Sequence, residues 1–94
     1  MLSTEIDSET LVSMLYSTQI RAARALLEWS QADLARAAGI GLATLQRIEQ
    51  SAGVVRGNFS TVVKIQKALE KAGIHFSDEE EAGGIGVRLL RKKR

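Results

Sequence analysis

The placement of glycine and proline constrains the fold of this chain more than any other feature of its sequence. Proline is absent from the 94 residues, and all eight glycines lie beyond Ala38. These two residue types end helices most readily, so everything before Gly39 can be helical and the glycines mark where helices stop. Gly39 and Gly41 interrupt residues 30–49, whose other members favour a helix. The sequence therefore predicts two short helices where one longer helix would be easier to form.

The first helix of this pair has a defined start and end. Ser30 and Asp33 have the spacing of a capping box, in which each side chain bonds the backbone of the other residue. Gly39 is suited to ending the helix in the left-handed conformation. The second helix opens at Gly41 or Leu42 and ends near residue 50. The residues expected to pack between the two helices are Leu34, Ala35, Ala38, Ile40, Leu45 and Ile48.

Helices are also predicted on both sides of this pair. A helix from about Thr18 has apolar residues at helical spacing, and a loop over residues 51–58 is followed by a helix that Ser60 caps and Gly73 ends. A shorter amphipathic helix is expected in the N-terminal arm. Its apolar residues are Ile6, Leu11, Met14 and Leu15.

The periodicity changes after Gly73. Residues 74–76 and 85–89 alternate between apolar and other side chains, which predicts two short strands that can form a hairpin. The expected fold is mostly α, with four to five helices and a short C-terminal β-hairpin or strands. We divide the chain into an N-terminal helical arm (1–16), a central helical domain (17–73), and C-terminal strands with a basic tail (74–94).

Two helices of about eight residues joined by a glycine-bearing turn form a helix-turn-helix. Gly39 reverses the chain, and small residues let the helices cross closely. The second helix then projects from the protein surface and can enter the major groove of DNA. The residues predicted to face outward from it are Leu42, Ala43, Thr44, Gln46 and Arg47.

The charge distribution is compatible with an anionic partner. Residues 1–16 carry three acidic side chains and no basic one, whereas the rest carries 13 basic and 8 acidic side chains. Acidic residues cluster at 78–81 and basic residues at 91–94. No cysteine is present, and no apolar run approaches the ~20 residues of a membrane span. We therefore expect a cytoplasmic protein without disulfides, associated with the nucleoid when it is bound to DNA.

Three segments together carry a resemblance to a known family: IRAARALLEWSQADLARAAGI (20–40), TLQRIE (44–49) and FSTVVKIQKALEKAGI (59–74). Over residues 19–73 the chain resembles the phage-repressor and Cro-like helix-turn-helix family, also called the xenobiotic-response-element family of bacterial regulators. The resemblance implies that residues 17–73 form a repressor-like helix-turn-helix DNA-binding domain of four to five helices, whose partner is double-stranded DNA.

The resemblance also assigns roles to individual residues. Arg24 and Glu49 match a buried structural ion pair between the first helix and the end of the recognition helix. Gln31 matches a residue that binds a DNA phosphate, and Ser30 lies beside it at a helix N-terminus, a position that suits an anion. The proposed base-contacting residues are Leu42, Ala43 and Arg47, with Thr44 and Gln46 beside them. The proposed phosphate-contacting residues are Ser30, Gln31, Gln50 and Arg56.

Two positions depart from the family pattern. Gly41 stands where Ser or Thr usually caps the recognition helix, and Leu42 and Ala43 can touch a thymine methyl group but cannot donate hydrogen bonds. Glu28 stands where glycine or a small residue often ends the first helix. These departures leave the expected fold unchanged and bear on the degree of base specificity.

Other residues predict no chemistry. One histidine (His75) and no cysteine cannot supply a nucleophile, a base and an orienting group, so we expect no enzyme, cofactor or metal site. The acidic residues 78–81 lack the spaced ligands of a calcium loop. Residues 83–86 precede no helix and so form no phosphate loop. Trp29 is expected to pack at the end of the first helix, and the basic tail is either solvated or in contact with phosphate.

Two classes of function remain open. The first is a sequence-specific transcriptional regulator, most simply a repressor, that binds a palindromic operator as a homodimer. The second is a partner-binding module: an antitoxin that neutralises a toxin and represses its own promoter, or a pure protein adaptor.

A homodimer would form through the strands, unless the hairpin folds back on its own helices and the dimer forms through the N-terminal arm. The strand residues assigned to this interface are Ile74, Phe76, Ile85, Val87 and Leu89.

Overall fold

The computed structural model describes residues 15–51, 53, 55, 57–77 and 84–90. These residues form four helices followed by two antiparallel strands, which confirms the predicted mostly α fold with a short C-terminal hairpin. Residues 1–14 of the predicted N-terminal arm, Arg56 and the basic tail lie outside the described residues, whereas Leu15 and Tyr16 are described and precede α1. The elements are α1 (Ser17–Leu27), α2 (Gln31–Ala38), α3 (Leu42–Gln50), α4 (Phe59–Lys71), β1 (Ile74–Ser77) and β2 (Gly86–Leu89).

One apolar core joins the four helices to the first strand. Ile20 of α1, Leu34 of α2 and Leu45 of α3 are fully buried in it, as are Ile65 and Leu69 of α4. Their helical spacing turns one face of each helix inward, as the sequence predicted. The other buried apolar residues of this cluster are Leu15, Ala23, Ala35, Ala38, Ile48, Val55, Val62 and Ile74. Trp29 packs against the cluster from the α1–α2 link, as expected.

The start and end of α2 agree with the sequence. The Ser30 hydroxyl accepts a hydrogen bond from the Asp33 backbone N–H at 3.0 Å, and Asp33 accepts one from the Ser30 backbone N–H at 2.9 Å. Hydrogen bonds from the Ser30 backbone and then its hydroxyl, with the charge of Arg36, hold the pKa of Asp33 below its ordinary value. Its contribution to this cap is therefore present at neutral pH and is lost as the pH falls through this lowered pKa. Gly39 ends α2 in the left-handed conformation, with φ of 72°.

The predicted cap of α4 was wrong. Asn58, not Ser60, precedes the helix, and its side-chain oxygen accepts hydrogen bonds from the backbone N–H groups of Ser60 (2.9 Å) and Thr61 (3.3 Å). Asparagine is at least as good a cap as serine, and the Ser60 hydroxyl instead donates to the Asn58 oxygen at 2.6 Å. Both residues have cap chemistry, and the earlier one begins the helix.

Gln19 fixes the hairpin to the start of α1. Its side-chain nitrogen donates to the carbonyl oxygens of Ser77 (3.1 Å) and Gly86 (3.0 Å), which are opposed in the ladder. Its side-chain oxygen accepts from the Tyr16 backbone N–H at 2.9 Å. Only 5% of Gln19 is exposed, so one buried amide joins α1 to both strands.

The hairpin packs much of its apolar face on its own chain. Ile74 is opposed to Leu89 and Phe76 to Val87, so these four residues share one face of the ladder. Ile74 is only 3% exposed in the core, and Phe76 and Val87 pack against that core. Ile74 is therefore covered by its own chain. The helices of the same chain cover this face because a two-stranded hairpin alone buries too little apolar surface to be stable.

Glu28 adopts a backbone conformation that favours glycine. It ends α1 with φ of 60° and ψ of 39°, and it is the one non-glycine residue with positive φ among those described. A side chain in this left-handed region crowds the following carbonyl and costs about 1–2 kcal/mol. The departure from the family pattern noted at this position therefore corresponds to local strain.

Replacing Glu28 with glycine is expected to raise the free energy of unfolding by about 0.5–1 kcal/mol, because relief of this strain exceeds the extra entropy of the unfolded chain. In thermal denaturation this corresponds to a rise of about 3–6 °C in Tm for a domain of this size. Glu28→Ala is the matched control, since it removes the charge but keeps the Cβ atom. Equal stability of the glycine and alanine variants would contradict the backbone explanation.

Candidate nucleic-acid interface

Helices α2 and α3 form the predicted helix-turn-helix. Leu45 is fully buried and Ile48 is 6% exposed, which directs one face of α3 into the core. Ala35 and Ala38 are buried on α2, where small side chains let two helices approach closely. Ile40, in the turn, packs against the same core. The turn therefore sets α3 across α2 with its other face directed to solvent.

The solvent face of α3 carries most of the predicted base-contacting residues. Ala43, Gln46 and Arg47 are exposed, and Leu42 is 42% exposed although it is apolar. Thr44 is only half-exposed, because it lies one helical turn before the buried Ile48 and therefore on the flank of the face. The exposed surface thus begins with apolar side chains and continues with an amide and a guanidinium group.

Gly41 occupies the N-cap position of α3 with extended backbone (φ −72°, ψ 148°), and no side chain caps the helix. Glycine is a weaker cap than Ser or Thr because it offers no acceptor to the first N–H groups. The beginning of α3 therefore depends on the tertiary contacts of Leu45 more than on local capping.

The Arg24–Glu49 pair connects α1 to the C-terminal end of α3. The Nε and Nη2 atoms of Arg24 each lie 2.8 Å from a different carboxylate oxygen of Glu49. Glu49 is 3% exposed, and the third nitrogen of Arg24 donates to the carbonyl of Trp29 at 3.1 Å. The two-point geometry fixes both side chains. The bond to the Trp29 carbonyl also joins the α1–α2 link to this pair.

Gln31, the predicted phosphate-contacting residue, belongs to the same polar network. Its side-chain nitrogen donates to the Glu49 carboxylate at 3.1 Å, and its oxygen lies 3.5 Å from the Gln46 side-chain nitrogen. The first contact is an ordinary hydrogen bond and the second is at the long limit. Gln31 is half-buried, so the buried carboxylate positions its amide, and the amide in turn lies beside the exposed face of α3. Ser30 and Gln50 are exposed at the ends of α2 and α3.

Three residues that sequence reasoning missed hold the C-terminal end of α3. The hydroxyl of Ser17, itself 1% exposed, donates to the carbonyl of Ser51 at 2.7 Å. Arg21 donates to the carbonyl of Glu49, and the Ser51 hydroxyl donates to the carbonyl of Ile48 at 2.7 Å. Arg21 could have been found, because it lies three residues before Arg24 on the same face of α1. Ser17 and Ser51 have no comparable signal in a single sequence.

The described parts of the chain offer neither a metal site nor a membrane-spanning helix. Among these residues no three His, Asp or Glu side chains are grouped so that they could hold a metal ion. No helix in the same set combines the length and the apolarity needed to cross a bilayer.

Comparison with known proteins agrees with this geometry. No curated protein and no solved structure matches the chain. A model of the helix-turn-helix family matches residues 20–73, which is more than half of the 94 residues and includes α2, the turn and α3. The chain therefore belongs to the helix-turn-helix family of DNA-binding regulators of the Cro and C1 type.

Proposed function

We propose that this protein is a sequence-specific transcriptional repressor that binds a palindromic operator as a homodimer. The observation that carries the proposal is the exposed face of α3, which ends in Gln46 and Arg47 and is anchored to α1 by the Arg24–Glu49 pair. A helix held in this way can lie in the major groove and present side chains to base edges. In the proposed organisation residues 17–73 bind DNA, and the flanking arm (1–16) and strands (74–94) support assembly.

Base recognition divides between apolar contact and hydrogen bonding. Leu42 and Ala43 have no polar side-chain atoms, so their contribution is contact with thymine methyl groups. Arg47 has the guanidinium fork that bonds both acceptors of guanine, and Gln46 has the amide that can pair with adenine. Thr44, on the flank of the face, is the weakest of the five proposed base contacts because of its partial burial.

Phosphate contacts position the helix on the duplex without reading its sequence. Ser30 begins α2, where backbone N–H groups and the helix dipole favour an anion, and Gln31 follows it. One N–H of Gln31 is engaged by Glu49, which leaves the second for a phosphate oxygen. Gln50, exposed at the end of α3, and Arg56, outside the described residues, complete the proposed set.

Replacing Arg47 with alanine is expected to weaken binding to the operator and to flatten base preference at one position in each half-site. A bidentate contact with guanine contributes about 1–3 kcal/mol of discrimination, or roughly 5- to 150-fold. The operator is first obtained by selecting bound DNA from a random pool. Affinities for the selected site and its single-base variants are then measured at one fixed salt concentration.

Arg47→Lys is the matched control for this experiment. Lysine retains the positive charge but lacks the planar fork, so it should preserve non-specific affinity and weaken the base preference. If alanine weakens binding equally on all sequences and lysine behaves like arginine, Arg47 contacts only phosphate. If no sequence is enriched from the pool, sequence-specific binding itself is contradicted.

The proposed homodimer follows from the size of the reading surface. One recognition helix reads only a few base pairs, and two copies related by a two-fold axis read half-sites one DNA turn (~34 Å) apart. A bound dimer would then exclude other proteins from the same DNA, which is the simplest route from this structure to repression. No separate effector domain is needed for that mechanism.

A further inference from the structure

Strand β2 leaves a concentration of apolar surface exposed. Ile85, Leu89 and Leu90 are 40%, 43% and 51% exposed, and they account for half of the large exposed hydrophobic residues in the described part of the chain. Among those residues β2 pairs only with β1. Its outer edge therefore presents backbone hydrogen-bonding groups beside apolar side chains, a combination that favours pairing with another strand.

We propose that this edge pairs antiparallel with β2 of a second copy, across a two-fold axis that passes through Val87. The inference rests on the proposed homodimer and specifies how the dimer is built. The two hairpins then form one sheet in the order β1–β2–β2–β1, with the α1 helices of both copies on the same face. When the same strand edge of two chains pairs in this way, each chain contributes an identical surface, as a two-fold interface requires.

The alternation of side chains selects the register. In an extended β2, Val87 and Leu89 lie on the same face, and Ile85 continues this alternation by one residue. A two-fold axis at Val87 places Ile85 opposite the partner's Leu89 and Leu89 opposite the partner's Ile85. Side chains that are 40% and 43% exposed in one copy thereby cover each other.

Neighbouring registers are less favourable. An axis at Arg88 would set two guanidinium groups directly opposite each other, and like charges opposed in a ladder destabilise it. An axis at Gly86 would set two glycines at the centre of the interface and move Leu89 beyond the partner's Ile85. An axis between two residues would place the apolar face of one copy beside the polar face of the other.

Charge complementarity supports the same orientation. The acidic run 78–81 follows Ser77 at one end of the hairpin, and the basic run 91–94 follows Leu90 at the other. Antiparallel pairing brings the Ser77 end of one copy to the Leu90 end of the partner. The segments that carry four acidic and four basic residues therefore continue from matching ends of the paired strands, whereas parallel pairing would start segments of like charge at the same end.

Cysteine cross-linking tests the register directly, because the natural chain contains no cysteine. Ile85→Cys and Leu89→Cys are made separately in the full chain, mixed in equal amounts, allowed to exchange and then oxidised mildly. Opposed Cβ atoms lie about 4.5–5.5 Å apart, close to disulfide distance, while identical positions in the two copies are separated by roughly 13 Å. The mixture should yield disulfide dimers up to about half of the protein, the statistical share of mixed dimers, and each variant alone should yield few.

Phe59→Cys on α4 is the control for random collision, since it is 55% exposed and lies outside the proposed interface. If sedimentation shows a dimer but the mixture cross-links no more than Phe59→Cys does, the interface is overturned. The proposed function would then remain intact. A monomer in sedimentation both free and on its selected DNA would overturn both. Strong cross-linking with no selected DNA sequence would support the interface and contradict the function.

Discussion

Replacing Arg24 with methionine is expected to lower the free energy of unfolding by about 3–5 kcal/mol. Methionine fills much of the arginine volume but leaves the Glu49 carboxylate, 3% exposed, without its two-point partner. The remaining hydrogen bond from Gln31 cannot neutralise a buried charge. A domain of this size has a total stability of about 5–15 kcal/mol, so the loss should be evident as a shift of the urea midpoint.

The double variant Arg24→Met/Glu49→Leu separates the loss of the pair from the burial of an unpaired charge. Removing both charged groups eliminates the uncompensated carboxylate, so the double variant should recover most of the stability lost by the single one. If the single variant loses less than about 1 kcal/mol, the carboxylate must be hydrated in the folded protein, and the pair would be no stronger than a surface ion pair. If the double variant is as unstable as the single one, the pair itself is strongly stabilising.

Replacing Gln19 with leucine is expected to cost about 3 kcal/mol of folding free energy. The substitution keeps the apolar bulk but removes the three side-chain hydrogen bonds of a residue that is only 5% exposed. The carbonyl groups of Ser77 and Gly86 would lose their bonds to this amide, and each buried polar group left unsatisfied costs about 1–3 kcal/mol. Urea denaturation measures the loss, and amide hydrogen exchange should show faster opening of the hairpin.

Gln66→Leu is the matched control, because Gln66 is also 5% exposed but uses its amide differently. Its nitrogen donates to Glu70, and its buried oxygen has no hydrogen-bond partner among the described residues. Leucine should therefore be tolerated there with little loss or a gain in stability. Similar losses at both positions would show that leucine is poorly accommodated in this core, and that the hairpin bonds of Gln19 contribute little.

Local chemistry explains what could be predicted from sequence. The break between α2 and α3 was predicted because Gly39 has no side chain to oppose the left-handed conformation it adopts. The Ser30–Asp33 cap could also be predicted, because it depends only on a spacing of three residues, and the structure confirms it. The general position of the strands followed from their alternation, and the family match to residues 20–73 confirms the resemblance found in the motifs.

Non-local packing explains the features that could not be predicted from sequence. Asn58 and Ser60 both have cap chemistry, so local sequence does not decide which of them caps α4. The alternation of Ile74 and Phe76 predicts an apolar face but not whether a helix of the same chain or a second copy covers it. The contact between Ser17 and Ser51 spans 34 residues and joins two small polar side chains that are common on surfaces. The assigned DNA contacts remain predictions until binding is measured.

The anchoring of α3 has a consequence for which base pairs influence affinity. Ser17, Arg21 and Arg24 hold the end of this helix to α1, so its direction is set before DNA arrives. Binding then requires no folding of α3, so association is opposed by little loss of conformational entropy in this helix. In the proposed homodimer, a recognition helix fixed within its own copy would not reorient to meet its half-site, so the duplex would have to bend or twist to fit. Base pairs between the half-sites, touched by no side chain, would thereby influence affinity through the stiffness of their steps.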